Sequence, residues 1–253
     1  MTLVPALTLT ELSKAFGGLK AVENVALSVV PGERRALIGP NGAGKTTLFN
    51  LISGDLPPSG GRITLFGQDV THLPPHRRAA LGLARTYQIT NLFPSLTVLE
   101  NLLLAVQALE RTKLVLLKPV TSYAHLYARA RTTLESVGLG DKEGEVVKNL
   151  SHGEQRQMEI AMALACRPRL LLLDEPTAGL SPAESRMMTE LLKRLNGEIT
   201  LIVIEHDMDV AFALTDRVTV LHNGTVVADG SRDEVKANPL VREIYLGAPD
   251  AHH

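Results

Sequence analysis

The sequence contains no tryptophan and only one cysteine, and aromatic residues make up 4% of its 253 residues. Few aromatic side chains are therefore available for bases or sugar rings to stack on, which disfavours a single-strand nucleic-acid platform or an aromatic carbohydrate groove. One cysteine excludes an internal disulfide. Because Cys166 lies in the apolar stretch IAMALAC, it is interpreted as a small buried hydrophobic residue and not as a nucleophile.

The chain also lacks net charge and long apolar runs. Its 26 Lys and Arg residues against 27 Asp and Glu give a formal charge of −1 at pH 7, so no overall basic field could hold nucleic acid or an anionic membrane. No apolar run approaches the roughly 20 residues that span a bilayer, and the N-terminus lacks the pattern of a signal peptide. We therefore expect a soluble, intracellular chain that binds no nucleic acid and holds any anion at a local site.

What the sequence does contain is enough apolar material for a sizeable core, with 45% hydrophobic and 21% charged residues. The first ninety residues alternate short apolar runs with turns, which predicts strands. After Gly39 the segment TTLFNLIS predicts a helix that ends at Gly54. From about residue 98 to residue 150 the pattern is helical with no convincing strand. This length predicts one large domain or a core with a subdomain.

An α/β pattern returns in the last hundred residues. The apolar runs LLLLD at 170–174 and ITLIVIE at 199–205 predict buried strands, and helical patterns precede and follow each of them. Continuous apolar strands that alternate with helices are typical of a parallel sheet covered on both faces. Asn223-Gly224 between two alternating runs predicts a β-hairpin over 217–230.

A phosphate-binding loop is predicted between a strand and a helix, where the sequence GPNGAGKT fits G-x-x-x-x-G-K-[ST]. Glycines let successive backbone N–H groups point at an anion, the lysine adds a mobile charge for the β- and γ-phosphates, and the hydroxyl after it can bind Mg²⁺. The alternative, a glycine turn that only caps a helix, fits this context less well. The candidate nucleotide-binding residues are Gly39, Pro40, Asn41, Gly42, Ala43, Gly44, Lys45, Thr46 and Thr47.

A second metal position is predicted at the end of the strand LLLLD. There Asp174 can bind Mg²⁺ beside Thr46, and Glu175 can orient or deprotonate an attacking water. Alone, Asp-Glu after a strand could equally be a helix cap, but the phosphate-binding loop makes that interpretation weaker. No N-K-x-D guanine-reading sequence follows the loop, which argues against a GTPase.

Between these motifs the segment LSHGEQRQ, residues 150–157, resembles the L-S-G-G-Q signature of ABC-type ATPases, although S-x-G-E before a helix also fits a capping box. The resemblance rests on the order and spacing of the motifs and covers nearly the whole chain. It implies that Ser151 and Gly153 contact the ATP held by a second subunit, and that His206 senses the γ-phosphate and, with Glu175 and Lys45, serves catalysis.

The same resemblance assigns two further positions. Gln88 in RTYQ matches the glutamine that contacts Mg²⁺ or water, and Phe16 matches the aromatic residue that stacks on adenine. The sequence departs from the family pattern at His152 and Glu154 in the signature, and at Ser181, where many members carry Asp.

The resemblance implies an α/β fold, a P-loop NTPase (ABC ATPase) core with a mainly parallel sheet, an N-terminal antiparallel β subdomain and an inserted α-helical subdomain. We expect a single ATP-binding domain with its core in residues 1–88 and 161–247, the helical subdomain in 89–160 and a flexible tail in 248–253. Its implied cofactors are ATP and Mg²⁺. The implied partners are a second ABC ATPase subunit, in a homo- or heterodimer, two transmembrane permease subunits and, indirectly, a substrate-binding protein.

Within the family, FGGLKAV, RTYQ, SHGEQRQMEIAMAL, IEHDMDV and the ending EVKANPLVREIYLG are similar to the ATP-binding subunit of branched-chain (hydrophobic) amino acid importers. This similarity implies a peripheral protein at the cytoplasmic face of the inner membrane that powers uptake. IEHDM and the Y-L-G ending also occur in a subunit of lipopolysaccharide export, so that system stays an alternative, as does a soluble non-transport ABC ATPase. The soluble classes fit less well, because they carry coiled-coil insertions or two cassettes.

Overall fold

The structure is a computed structural model that describes residues 3–86, 92–108, 110 and 123–246. Its strands are Leu7–Phe16 (β1), Leu19–Val29 (β2), Arg34–Ile38 (β3), Gly60–Leu65 (β4), Gln68–Asp69 (β5), Leu83–Arg85 (β6), Leu170–Asp174 (β7), Thr200–Ile204 (β8), Arg217–His222 (β9) and Thr225–Ser231 (β10). Its helices are Lys45–Ser53 (α1), Pro75–Ala80 (α2), Val98–Ala108 (α3), Ala124–Ser136 (α4), His152–Ala165 (α5), Pro182–Lys193 (α6), Met208–Leu214 (α7), Arg232–Ala237 (α8) and Pro239–Leu246 (α9). Two short 3₁₀ turns lie between α4 and α5.

The larger sheet has six strands in the order β10-β9-β3-β8-β7-β6. All neighbours in it are parallel except β10, which pairs antiparallel with β9 through the predicted hairpin. The carboxyl ends of parallel strands share one edge of a sheet, which is where ligands bind in such folds. The loop after β3, the carboxylates after β7 and the histidine after β8 therefore meet at one edge.

The smaller sheet is antiparallel, in the order β2-β1-β4-β5, and together with α1 it covers one face of the larger sheet. Strand β7 is apolar up to its last residue because both of its faces are buried. Leu170 and Leu172 pack among residues of the smaller sheet and α1, whereas Leu171 and Leu173 pack among the helices on the other face. The mainly parallel core and the N-terminal antiparallel sheet confirm the predicted fold class.

Helices α3, α4 and α5 lie between β6 and β7 in the chain and pack against one another. Helix α5 begins at His152 and continues to Ala165, so it crosses the expected boundary at residue 160. The division into a core of 1–88 and 161–247 and a helical subdomain of 89–160 stays a prediction, and the tail 248–253 lies outside the described residues. Among the described helices, none is both long and apolar enough to span a bilayer.

Candidate functional site

The loop after β3 has a conformation in which two glycines cannot be replaced without a clash. A Cβ on Gly39 would lie 2.2 Å from the carbonyl oxygen of Leu221, and one on Gly44 would lie 2.4 Å from that of Ala21. Gly44 also has φ of 101°, in the left-handed region that favours glycine. The turn of the β9–β10 hairpin supports the loop as well, because the N–H of Gly224 donates to Ala43 O at 3.0 Å. These close contacts and this hydrogen bond thus fix the backbone of the loop.

Lys45 begins α1 directly after this loop, and its side chain folds back over it. The ammonium donates to the carbonyl oxygens of Gly39 at 2.7 Å and Pro40 at 3.0 Å. Burial lowers the pKa of Lys45, and the negative charges of Glu175 and Asp174 act against that shift. The charges of both carboxylates thus act on the lysine, so the three groups lie near one another, as the sequence predicts. Thr46 and Thr47 follow in the first turn of α1.

Asp174 ends β7 and is almost completely buried, with 1% of its surface exposed. Its Oδ2 accepts a hydrogen bond from Arg85 Nη2 at 3.1 Å, whereas its buried Oδ1 has no hydrogen-bond partner among the residues that the structure describes. Burial raises the pKa of Asp174, and the charge of Arg85 opposes this.

The unpartnered Oδ1 of Asp174 fits a metal ion, because a buried carboxylate oxygen without a donor is costly. No cluster of three or more His, Cys, Asp or Glu side chains that could hold a metal occurs among the described residues. Mg²⁺ does not need one, since it is usually held by one or two protein groups, substrate phosphates and water. The donor set of Asp174 and the Thr46 hydroxyl is therefore suited to Mg²⁺.

Glu175 and His206 meet at the same edge of the sheet. Nε2 of His206 lies 2.7 Å from Oε1 of Glu175, within hydrogen-bond distance. Glu175 has φ of 50°, which is uncommon for a residue with a side chain and typical of functional sites. Its N–H donates to Ile204 O at 2.9 Å, so β8 holds the strained residue in place. The pair can orient a water molecule and accept its proton.

Arg156 is a residue whose role the sequence does not reveal. From α5 its guanidinium donates to three consecutive backbone carbonyls, those of Asp174 at 2.9 Å, Glu175 at 2.6 Å and Pro176 at 3.2 Å. It also pairs with Glu159 at 2.5 Å. The helix that carries the signature is thereby tied to the turn that carries both acidic residues.

A second missed residue is Glu205, which precedes His206 and is 4% exposed. Its Oε1 accepts from the N–H of Thr177 at 3.1 Å and from the Thr177 hydroxyl at 2.9 Å. Burial raises the pKa of this carboxyl. The contact joins the end of β8 to the loop that follows Glu175, so both sides of the Glu175 and His206 pair are fixed by buried polar contacts.

Comparison with known proteins decides the family. The family model described as ABC transporter matches residues 22–178, and one described as branched-chain amino acid ATP-binding cassette transporter matches residues 225–251. The high-affinity branched-chain amino acid transport ATP-binding protein LivG of Escherichia coli (strain K12) is 41% identical over 250 residues, which cover 96% of this chain and 98% of LivG. The chain belongs to the ABC transporter family.

Solved structures of ABC cassettes agree with this assignment. A nucleotide-free ATP-binding cassette from an ABC transporter superposes with a TM-score of 0.83 at 31% identity, covering 96% of this chain and all 100% of that one. A dimeric cassette in a post-hydrolysis state, bound to ADP and phosphate, superposes with a TM-score of 0.76 at 28% identity. The match covers 89% of this chain and 98% of that one. The chain is thus an ABC ATPase that binds ATP.

The ABC signature segment forms the N-terminus of α5. The Ser151 hydroxyl accepts from the N–H of Glu154 at 3.3 Å, and Oε2 of Glu154 accepts from the N–H of Ser151 at 2.8 Å. Lys142 lies 2.5 Å from the other oxygen of Glu154 and lowers the pKa of that carboxyl. The departure at Glu154 from the family pattern therefore completes a capping box. Gly153 follows in the first turn, where a Cβ would lie 2.8 Å from Glu184 Oε1.

Of three other positions of the ABC pattern, two lie within the described residues. Ser181 caps α6, because its hydroxyl accepts from the N–H of Glu184. Phe16 ends β1 with 49% of its surface exposed, and the Lys14 ammonium lies 5.2 Å from its ring centre. Gln88 lies outside the described residues. The structure thus brings Lys45, Asp174 and the Glu175 and His206 pair together, while the assignment of the site residues to ATP stays a proposal.

Proposed function

We propose that this ABC cassette is the ATP-hydrolysing subunit of an importer for branched-chain or other hydrophobic amino acids, acting as a peripheral protein at the cytoplasmic face of the inner membrane. The proposal of ATP hydrolysis rests on the 2.7 Å contact between His206 and Glu175, which lies beside the loop that begins at Gly39. Support for the cargo comes from the relative named for branched-chain amino acid transport and from the match of residues 225–251.

The triphosphate of ATP binds to the loop and the start of α1 in this proposal. Backbone N–H groups of the loop and the Lys45 ammonium meet the phosphates, and the dipole of α1 favours their negative charge. Thr46 and Asp174, with Gln88, would hold Mg²⁺, which when bound neutralises charge on the β- and γ-phosphates. Adenine stacks on the ring of Phe16 in this proposal, which the exposure of that ring supports.

Hydrolysis breaks the bond between the γ-phosphorus and the oxygen that leaves with ADP, as a water oxygen bonds to that phosphorus. A carboxylate oxygen of Glu175 accepts the proton that the water loses. Because His206 Nε2 lies 2.7 Å from Glu175 Oε1, an N–H at that position would donate to the carboxylate and fix its direction. Asp174, held by Arg85, keeps its other oxygen for the metal.

Two cassettes pair head to tail in this proposal, so that Ser151 and Gly153 of one face the ATP of the other. The N-terminus of α5 suits this role, because its first-turn N–H groups and helix dipole attract an anion. A relative with the same fold has been solved as a dimer bound to ADP and phosphate. The second cassette is either a copy of this chain or a related subunit.

The permease subunits dock, we propose, in an apolar groove beside β6. The groove encloses about 400 Å³ and separates α2 from the helices α3 and α5. Its walls include Pro75, Ala79, Leu92, Ala105 and Met162. A helical segment from a permease fits such a surface, because an amphipathic helix can bury its apolar face in a groove.

Phe93 lies directly after the groove residue Leu92 and is half exposed. The segment is anchored by Asn101, which is fully buried and whose side chain accepts from the N–H of Phe93 at 2.8 Å and donates to its carbonyl at 3.0 Å. Asn101 thus fixes the backbone while the aromatic ring stays available to a partner. The sequence alone also motivates docking within residues 89–105, because residues 91–94 form the apolar run NLFP.

Substituting Phe93→Asp tests the docking surface. We expect assembly with the permeases and ATP-driven uptake to be lost while the isolated chain keeps its ATPase activity. Val30→Asp is a matched control, because Val30 is similarly exposed, at 45% against 50%, and lies away from the groove, directly after β2. Unchanged assembly and uptake in Phe93→Asp would refute docking at this segment.

The cargo is tested by reconstituting the chain in proteoliposomes with the permeases with which it co-purifies and their substrate-binding protein. We expect ATP-dependent accumulation of radiolabelled leucine, isoleucine and valine, with none in a Lys45→Ala control. ATPase stimulation by a lipopolysaccharide, without amino acid uptake, would replace the import proposal with export.

A further inference from the structure

Arg85 links three parts of the molecule through one buried side chain, which is only 5% exposed. Its Nη1 donates to Asn50 Oδ1 at 2.6 Å, to Ser53 Oγ at 3.0 Å and to Asp55 Oδ2 at 3.2 Å, all within or directly after α1. Its Nη2 donates to Asp174 Oδ2 at 3.1 Å. The phosphate-loop helix and the metal-site carboxylate are thus joined by a single guanidinium.

The shape of the guanidinium makes this link directional. Its nitrogens lie in one rigid plane, so partners that fix Nη1 also fix where Nη2 points. Nη2 in turn fixes Oδ2 of Asp174. This leaves Oδ1, the buried oxygen to which no described residue donates a hydrogen bond, as the one open to a metal. A lysine at this position would supply one compact charge and could not hold both ends in a set orientation.

Arg85 also lines the groove defined above, as do its neighbour Thr86 and its partner Ser53. Thr86 contacts Asp174 as well, because its hydroxyl accepts from the Asp174 N–H at 3.3 Å. The floor of the groove and the support of the metal-site carboxylate therefore consist of the same residues. A segment that enters the groove contacts the residues that hold Asp174.

We propose that Arg85 is a positioning residue that orients Asp174 for the metal of bound nucleotide and transmits occupancy of the groove to that carboxylate. The second half of this proposal rests on the proposed function, in which a permease segment fills the groove. The first half concerns the isolated chain alone.

The isolated chain is tested by calorimetric titration with ATP, once with Mg²⁺ and once with EDTA. The ratio of the two dissociation constants measures what the metal adds to binding. Loss of a residue that orients a metal ligand typically weakens metal binding by 10- to 100-fold, so we expect Arg85→Met to reduce this ratio by about tenfold or more. Arg85→Lys should recover only part of the ratio, because lysine keeps the positive charge but lacks the planar guanidinium group.

Arg78→Met is the matched control. Arg78 is also buried, at 1% exposed, and its guanidinium donates to α1 at the carbonyls of Leu51 and Ile52. We expect this variant to lower thermal stability and leave the Mg²⁺ ratio within twofold of wild type. If Arg85→Met does not fold, as judged by circular dichroism, Arg85→Lys decides. A ratio within twofold of wild type in the folded Arg85 variants overturns the positioning role.

The groove is tested in the assembled transporter, by comparing basal and permease-stimulated ATPase rates. We expect Arg85→Lys to lower the stimulation factor by more than it lowers the basal rate. Equal losses in both would overturn transmission from the groove. If the wild-type chain assembles with no permease at all, the proposed function fails, while the Mg²⁺ ratio of the isolated chain still decides whether Arg85 positions Asp174.

Discussion

Replacing Arg156 by methionine should destabilise the chain strongly, because one buried guanidinium holds the turn that carries both acidic site residues. The carbonyls of Asp174, Glu175 and Pro176 would each lose the hydrogen bond that Arg156 donates. Glu159, with 9% of its side chain exposed, would lose the cation with which it pairs. Methionine is close to arginine in length and can refill part of the space. The change therefore removes mainly hydrogen bonds and charge.

The expected size follows from these contacts. A hydrogen bond from a charged group contributes about 1.5–3 kcal/mol, and removing one partner of a buried ion pair costs about 3–5 kcal/mol. The contributions overlap, and methionine restores some packing, so we expect a loss of about 3 kcal/mol in the free energy of unfolding. For a chain of this size each kcal/mol shifts Tm by about 2–4 °C, which predicts a fall of about 6–12 °C.

The assay is thermal unfolding followed by circular dichroism, with urea unfolding for the free energy. Arg131→Met is the control, since Arg131 pairs with Glu143 on the surface, where the two side chains are 53% and 38% exposed and solvent screens the pair. Its Tm should match that of the wild type within error. A Tm for Arg156→Met as high as that of the control would refute the claim that this arginine holds the turn.

Two further predictions concern the loop and the C-terminal helix. Gly39→Ala places a Cβ 2.2 Å from Leu221 O, a strain of about 1–3 kcal/mol, and should weaken ATP binding by about tenfold in calorimetry. In Gly18→Ala the new Cβ meets no atom of the described residues within 4 Å, so this variant should bind ATP as the wild type does. Equal affinities of the two variants would contradict the loop geometry. Burial raises the pKa of Tyr245 to about 12, so its neutral phenol stabilises the fold below about pH 10 and this contribution is lost as the pH rises towards 12. Urea unfolding should therefore show wild-type stability falling relative to Tyr245→Phe in that window. Parallel curves would contradict the partial burial of this phenol, whose residue is 36% exposed.

The grouping of the candidate site residues could be predicted from the sequence, because each lies at or just after the carboxyl end of an apolar strand, Lys45 by way of the phosphate-binding loop. The sheet brings such ends together, so Lys45, Asp174, Glu175 and His206 become neighbours although they are far apart in the chain. The sequence motifs GPNGAGKT, LLLLDE and IEHDMDV contain these residues at fixed positions, so the motifs identify them directly. The hairpin at Asn223 was equally predictable, because its turn needs residues that accept positive φ.

The supporting residues could not be predicted in this way. Arg85 and Arg156 are charged residues in otherwise ordinary polar positions of a short strand and a helix, and a sequence pattern places such residues on the surface. Apart from Glu159, three positions from Arg156, the partners named above lie 18 to 89 positions away in the chain and become neighbours only through packing. The signals that existed were the motifs RTYQ and SHGEQRQ, which contain the two arginines without indicating what they bind.

Short elements were also missed. Strand β6 has three residues and is defined by its pairing with β7, so no periodicity could reveal it. Helix α2 has six residues, and its start at Pro75 is a signal that could have found it, because proline favours the first turn of a helix. Helix α2 forms one wall of the groove and β6 forms its floor. The sequence therefore indicated docking residues only on the opposite wall, within residues 89–105.

Substituting Glu175→Gln tests the central claim most directly. The purified variant would be compared with the wild type for ATP turnover and, by light scattering with Mg²⁺ and ATP present, for molecular mass. We predict that turnover falls by about 10²–10⁴-fold, as for loss of a general base, and that the variant binds ATP and accumulates as a dimer. Turnover equal to that of the wild type would contradict the assignment of Glu175 and with it the account of this site.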